Sequence, residues 1–404
     1  MKRRRVKITG VGPVTPAGIG REAFWEGILE PVSRVRPYRK LEDELGPFVA
    51  AYIDRFDIGR FVDRKKLPHG GAARHTLFAL AGAVLALADA GLSVEEASEK
   101  AAAVFTGTSV MDFEGITRGT QSVFNRGVRG VQPRLIFSTH VASIATTVVS
   151  ALGLQAKTMA VQSSCCGGLD AIGFAAEAIA SGEIDLAICG GTESPLFKHP
   201  LLELRGAGLT PPTSERASEI GRPFDLWRTT GVVAEGACMV VLEPEESPRK
   251  GMSWVRGYAY AQDENGDLCG GLGVAIRHAL ANAQLRPRDV EVINAWGPGH
   301  RIIDAAEVRA LAGIFQEGLE EVPAVSIKGA VGNALAAAPA IQVASAVLAQ
   351  AEGVIPPTVN WRHPDPECAL NLSGLPRVVA HDVTLIDSHG LSGMNSSMVL
   401  ERCT

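Results

Sequence analysis

Two adjacent cysteines followed by two glycines, Cys165-Cys166-Gly167-Gly168, are the residues best suited to covalent chemistry in this chain. They follow a β-like run, Thr158 to Val161, and precede a helix-like run from Ala171 to Ala180. At a strand-to-helix junction a thiol meets unpaired N–H groups and the positive end of the helix dipole, which favours the nucleophilic thiolate. Glycines directly after it let backbone approach a bound thioester, and their N–H groups can face an oxyanion. Two readings stay open on this stretch alone. One is a nucleophile elbow with Cys165 or Cys166 as nucleophile; the other is a pair of small buried thiols capping a core helix, since free cysteine is among the most buried residue types.

The elements that would position such an elbow are those of an α/β chain. The 404 residues suffice for two or three domain-sized units, and 46% hydrophobic against 21% charged residues indicates a globular protein. The formal net charge of -5 gives no reason to expect a nucleic-acid partner. The basic cluster Lys2 to Arg5 runs straight into a first strand, with no apolar region of a signal peptide behind it. No run approaches the roughly 18 apolar residues of a membrane helix, so no membrane partner is expected. Seven scattered cysteines without paired metal-site spacing suit a reducing cytoplasm, and no metal is expected.

Lys7 to Gly12 reads as a strand into a glycine turn, His69 to Ala90 as an apolar helix, Ala101 to Phe105 as a buried strand and Ser109 to Gln132 as a glycine-dotted loop. Phe137 to Leu152 reads as a second helix, with Phe137 and His140 at its start as candidate substrate contacts. Ile184 to Cys189 is a strand that stops at Gly190, Leu201 to Arg222 a loop, and Ala234 to Glu243 a strand before the charged linker Pro244 to Lys250. Beyond the linker the same order of strands and helices returns, with strands near Trp254, Val290 to Ala295, Ala324 to Ile327, Thr384 and Ser397 and a helix Ala334 to Ala351. The expected units are therefore an N-terminal half, 1–245, and a C-terminal half, 252–404, each α/β with a parallel-rich sheet.

Several short motifs then occur in a fixed order: V-K-I-T-G-V-G-P-V-T-P-A-G at the start, S-S-C-C-G-G-L-D-A-I-G at the elbow, G-G-T-E at Gly190, R-P-F-D at Arg222 and E-G-A at Glu235. V-I-N-A-W-G-P-G with Asp304 and Glu307 behind it, S-I-K at Ser326 and G-L-S-G-M-N at Gly390 complete the series. On these motifs the chain resembles, over essentially its full length, the elongating β-ketoacyl-acyl-carrier-protein synthases of the thiolase superfamily. The resemblance implies a thiolase-like fold of two duplicated α/β halves in a five-layer αβαβα arrangement. It also implies a dimer, either of two copies or with a ketosynthase paralogue. The implied partner is acyl carrier protein, whose phosphopantetheine arm is the substrate carrier, with no other cofactor. The implied chemistry is attack of a cysteine thiolate on an acyl thioester, followed by decarboxylation of a malonyl thioester and carbon–carbon bond formation.

The resemblance places the nucleophile at Cys165, Gly167 and Gly168 near the thioester, and Lys328 paired with Glu307 as support. Both histidines the family uses for decarboxylation are replaced: Trp296 stands at the first position and Asn333 at the second. Removing one oxyanion donor costs about 100- to 1,000-fold in rate, so ordinary condensation is not expected. Trp296 has a single N–H donor and cannot shuttle a proton, whereas Asn333 can still donate a hydrogen bond. His300, four residues after Trp296, and His389, where the family has phenylalanine, are the substitutes to consider. Gly390 and Leu391 belong to a gate whose usual phenylalanine is lost, and Thr230-Gly231 replaces the usual Gly-Phe, so the acyl pocket is reshaped. Three functions follow as expectations: a chain-length-factor-like partner subunit of a ketosynthase in fatty-acid or polyketide biosynthesis, a Cys165-dependent acyltransferase, or a ketosynthase with an atypical active site.

Overall fold

The computed structural model describes residues 3–68, 71–211, 216–264 and 266–404. The Lys2 end of the basic cluster, the His69 start of the first expected helix and part of the loop expected at 201–222 lie outside them.

Ten strands carry the architecture. In the first half these are β1 (Val6–Thr15), β2 (Ala102–Gly107), β3 (Ala156–Val161), β4 (Leu186–Glu193) and β5 (Gly236–Pro244). In the second they are β6 (Ser253–Gln262), β7 (Val292–Asn294), β8 (Ala324–Val325), β9 (Val383–His389) and β10 (Met394–Arg402). The order outward from the middle is β1-β5-β4-β2-β3 on one side and β6-β10-β9-β7-β8 on the other, so each half runs first, fifth, fourth, second, third. Pairing repeats as well: β4, β2 and β3 are mutually parallel, as are β9, β7 and β8, while the two inner pairs of each half are antiparallel. The sheets are joined where β1 meets β6, at Lys7 opposite Trp254 and Ile8 opposite Ser253.

Helices complete the layers. Outside the first sheet lie α1 (Arg74–Asp89) and α2 (Ala142–Leu152); between the sheets lie α3 (Gly167–Ser181) and α6 (Ala338–Glu352); outside the second lie α4 (Gly270–Ala283) and α5 (Arg301–Phe315). This is the expected αβαβα arrangement. Helix α6 is apolar all round because it faces a sheet on each side, and every residue from Ala338 to Gln350 is buried. The stretch Leu335–Glu352 is long and on average apolar enough to cross a membrane, although Gln342, Ser345 and Gln350 interrupt any continuous apolar run, and 89% of it is buried.

Several glycines do a different job from the one expected. Gly10 and Gly12 lie inside β1, not in a turn after it: a Cβ at Gly12 would sit 2.0 Å from the Gly82 carbonyl oxygen of α1, and one at Gly10 2.3 Å from that of Ala86. They let a helix rest directly on the strand. Likewise β4 does not stop at Gly190 but continues to Glu193, because Gly190 and Gly191 allow the backbones of Cys238 and Ala336 to press against it.

Three loop or helix expectations change. The segment Ser109 to Gln132 contains a helix, Phe113–Arg126, capped by the Asp112 carboxylate, which accepts from the Gly115 N–H at 2.9 Å. Its Gly119 is not a breaker; it makes room for Leu135. Another helix, Lys198–Gly206, occupies the start of the loop expected from Leu201. Helix α2 begins at Ala142, so Phe137 and His140 precede it, both exposed, Phe137 by 71%.

Candidate functional site

The elbow is a 3-10 turn, Ser164–Cys166, wedged between β3 and α3. Ser164 adopts φ +53°, a left-handed conformation that non-glycine residues rarely take, and this turns the next side chain inward. Two contacts hold the turn. A Cβ at Gly107 would lie 2.1 Å from the Gly167 carbonyl carbon, and one at Gly168 would lie 2.4 Å from the Ala336 oxygen. Gly167 and Gly168, expected beside the thioester, are therefore packing residues that seat the start of α3 against β2, β4 and the turn Leu335–Ala337.

Geometry separates the two cysteines. Cys166 is fully buried, and its Sγ–H donates to the Met394 carbonyl at 3.3 Å and lies 3.5 Å from that of Ser388, so it is a structural tie to β9 and β10. Cys165 faces a small cavity. Burial, with the nearby Glu193 carboxylate second, pushes its thiol up to about 11, while the Leu391 N–H beside the sulfur pulls the other way. The lowered pKa expected from the helix N-terminus is thus reversed, because desolvation of the thiolate outweighs it.

The cavity holds about 30 Å³, about the space of one water. Of the sequence candidates it brings together Cys165, Trp296, Asn333, His300, His389 and Leu391. Gly390 lies beside it in the tight turn between β9 and β10, where its N–H donates to the Met394 carbonyl at 2.7 Å and a Cβ would meet Ser164 at 3.0 Å. Phe137 and His140 do not line it.

Trp296 is 2% exposed and packs in a cluster with Cys165, Ile303, Leu335 and Ala338. Its backbone is held on three sides. Its N–H donates to Asp387 Oδ1 at 2.6 Å, its carbonyl accepts from Lys328 Nζ, and the next N–H, of Gly297, donates to Glu307 Oε2 at 2.8 Å. The Lys328 ammonium also sits 3.9 Å from the indole centroid and donates to Gln342 Oε1 at 2.9 Å. Lys328 and Glu307 are therefore not a direct ion pair as expected: they brace opposite sides of the Trp296 loop. Burial lowers the Lys328 pKa against the pull of Glu307 and Asp387, and burial raises both carboxyls.

Asn333 accepts at Oδ1 from the Leu335 N–H at 3.2 Å, which leaves its Nδ2 as the available donor. The His300 ring caps α5, its Nδ1 lying 3.3 and 3.4 Å from the Ile302 and Ile303 N–H groups. His389 is 2% exposed, and its Nδ1 lies 2.8 Å from Asn395 Oδ1.

Sequence reasoning missed Gln342, Asp387 and Glu193. Gln342 donates to the carbonyls of Asn294 and Ala295 at 3.0 and 3.1 Å, and an amide early in a mostly apolar helix was the signal for it. Glu193 ends β4 and accepts from the Ser109 and Val110 N–H groups at 2.8 and 3.1 Å; burial pushes its carboxyl up to about 7.

Comparison with known proteins accords with this geometry. Residues 3–247 match the family model described as "Beta-ketoacyl synthase, N-terminal domain", and residues 253–362 match "Beta-ketoacyl synthase, C-terminal domain". A "Putative polyketide beta-ketoacyl synthase 1" of Streptomyces cyaneus is 32% identical over 98% of both chains. The solved structure of "The ishigamide ketosynthase/chain length factor" superimposes with a TM-score of 0.91 at 26% identity, covering 100% of both chains. A type II polyketide synthase acyl carrier protein in complex with its ketosynthase gives a TM-score of 0.89 at 26% identity, over 99% of this chain and 100% of that one.

Proposed function

Since the chain belongs to the β-ketoacyl synthase family, we propose that it serves acyl chains on an acyl carrier protein, in polyketide or fatty-acid assembly, as a non-condensing partner subunit of a ketosynthase. One observation carries this reading: Trp296, which on the resemblance stands at the first histidine position, packs its side chain against Cys165 and lines a cavity with free space of about 30 Å³. An indole offers one donor and no acceptor, so it cannot move a proton. Asn333 offers a donor but no base. Decarboxylation therefore lacks the groups that would bear its developing charge.

The rest of the chain keeps what a partner subunit needs. The layered scaffold is complete, and β3 lies at the outer edge of the first sheet with Lys157, Thr158 and Met159 exposed. Similarity to a ketosynthase/chain-length-factor structure and to a ketosynthase bound by its carrier protein supports those two classes of partner.

The test is twofold. Purified chain incubated with malonyl-acyl carrier protein is expected to release no carbon dioxide above background, and mixing it with a ketosynthase paralogue is expected to give a stable complex in size-exclusion chromatography with light scattering. Carbon dioxide release by the isolated chain would overturn the reading.

A further inference from the structure

We propose that His389 Nε2 is the general base for Cys165, and that the two form a dyad able to take an acyl group from a thioester without any decarboxylation. The proposal goes beyond the partner-subunit reading and does not depend on finding the partner.

Asn395 sets the tautomer of His389. Asn395 Nδ2 donates both its hydrogens, one to Asp263 Oδ1 at 2.7 Å and one to the Gly393 carbonyl at 3.0 Å. This fixes the amide orientation and turns Oδ1, an acceptor only, toward His389 Nδ1 at 2.8 Å. Nδ1 must therefore carry the ring proton, which leaves Nε2 with a free lone pair. That Nε2 is buried and has no hydrogen-bond partner among the described residues. An unsatisfied buried polar atom costs stability, so its place in a cavity wall calls for a function.

The cavity supplies one. His389 and Cys165 line the same cavity, and its free space of about 30 Å³ admits a water that can pass a proton between them. The other imidazole on that wall is spoken for. His300 uses Nδ1 as the acceptor that caps α5, so its neutral ring carries the proton on Nε2 and offers no lone pair there.

Behind the dyad stands an anchor. Asp263 accepts from the Cys269 and Gly271 N–H groups at 3.2 and 2.9 Å, and its Oδ2 lies 3.9 Å from His389 Nδ1.

The step balances. Nε2 takes the Cys165 proton as sulfur attacks the thioester carbonyl; the carbon–sulfur bond to pantetheine breaks, and the departing thiolate takes the proton back from Nε2. An S-acyl Cys165 and a free pantetheine thiol result.

The experiment follows acetylation of Cys165 by S-acetyl-pantetheine, read by intact mass and peptide mapping. Wild type is expected to acquire one acetyl group, and H389F to acquire it about 100- to 10,000-fold more slowly. In H389A, whose vacated space admits a small ring, added imidazole is expected to recover part of the rate, which a merely structural role for His389 would not allow. A wild-type rate in H389F, no rescue in a folded H389A, or no acetylation of wild type at Cys165 would each overturn the proposal. The partner-subunit reading fails on different measurements, carbon dioxide release and complex formation.

Discussion

The two halves of the chain reach the cavity by different means. The N-terminal half presents Cys165 on an elbow clamped by backbone on backbone, Gly107 against Gly167 and Gly168 against Ala336, with no side chain between. The C-terminal half presents Trp296 on a loop held by side chains, Lys328, Gln342, Glu307 and Asp387, which grip its main-chain atoms, the Lys328 ammonium resting also on the indole face. A clamp of the first kind tolerates no change. One of the second kind holds the loop largely by its main chain, so the side chain at position 296 can differ while the loop stays in place.

The comparison can be broken most directly at Cys165. Cys165→Ala is expected to abolish any acyl adduct, since Cys166 is tied to the Met394 carbonyl and faces away from the cavity; intact mass after incubation with acyl thioesters checks this. If the C-terminal loops are scaffolds with exchanged head groups, the double variant W296H/N333H should raise malonyl decarboxylation at least about 100-fold, the effect of restoring one oxyanion donor. Release of labelled carbon dioxide measures it.

Smaller effects sharpen the contrast. Gly168→Ala should lower stability by about 3 kcal/mol or more, because its Cβ would press on fixed backbone. Trp296→Phe should cost less, since the loop is held mainly by its main chain and phenylalanine keeps an aromatic face for Lys328, and urea midpoints would rank the two. The last test concerns pH. Burial raises Glu193 from its ordinary 4.5 to about 7, so the folded state binds the proton more tightly than the unfolded one. That contribution is full below pH 4.5 and declines as pH rises through about 7, by at most about 3 kcal/mol. Glu193→Gln should be less stable overall yet lose this part of the slope, as urea titrations at pH 5 and pH 8 would reveal.

Much of this was readable in the residues. The strand Thr158 to Val161, the elbow and the helix after it lie where the pattern puts them, and the gathering of Cys165, Trp296, Asn333, His300, His389 and Leu391 around one cavity follows from motif order. Three kinds of information were not. Glycine has two uses, a positive φ and close approach, and only the packing partner reveals that Gly10, Gly12 and Gly191 serve the second and that Gly190, at φ +155°, serves both. The Cys165 pKa is a contest between helix dipole and burial, and burial is a property of the whole fold. The exposure of Phe137 and His140 depends on where α2 starts, and apolar periodicity does not mark that point sharply.

The meeting of β1 with β6 has a consequence for biosynthesis. Strand β1 lies at the centre of the finished sheet order, between β5 and β6, and both of its main neighbours are encoded more than two hundred residues later. Apart from a short pairing of Val14 and Thr15 with Ile19 and Gly18, its ladder cannot close until most of the N-terminal half has been synthesised. Pairings of such long sequence separation fold slowly, so the nascent chain carries an unpaired apolar strand through much of translation, and chaperone dependence should grow with any change that weakens β1.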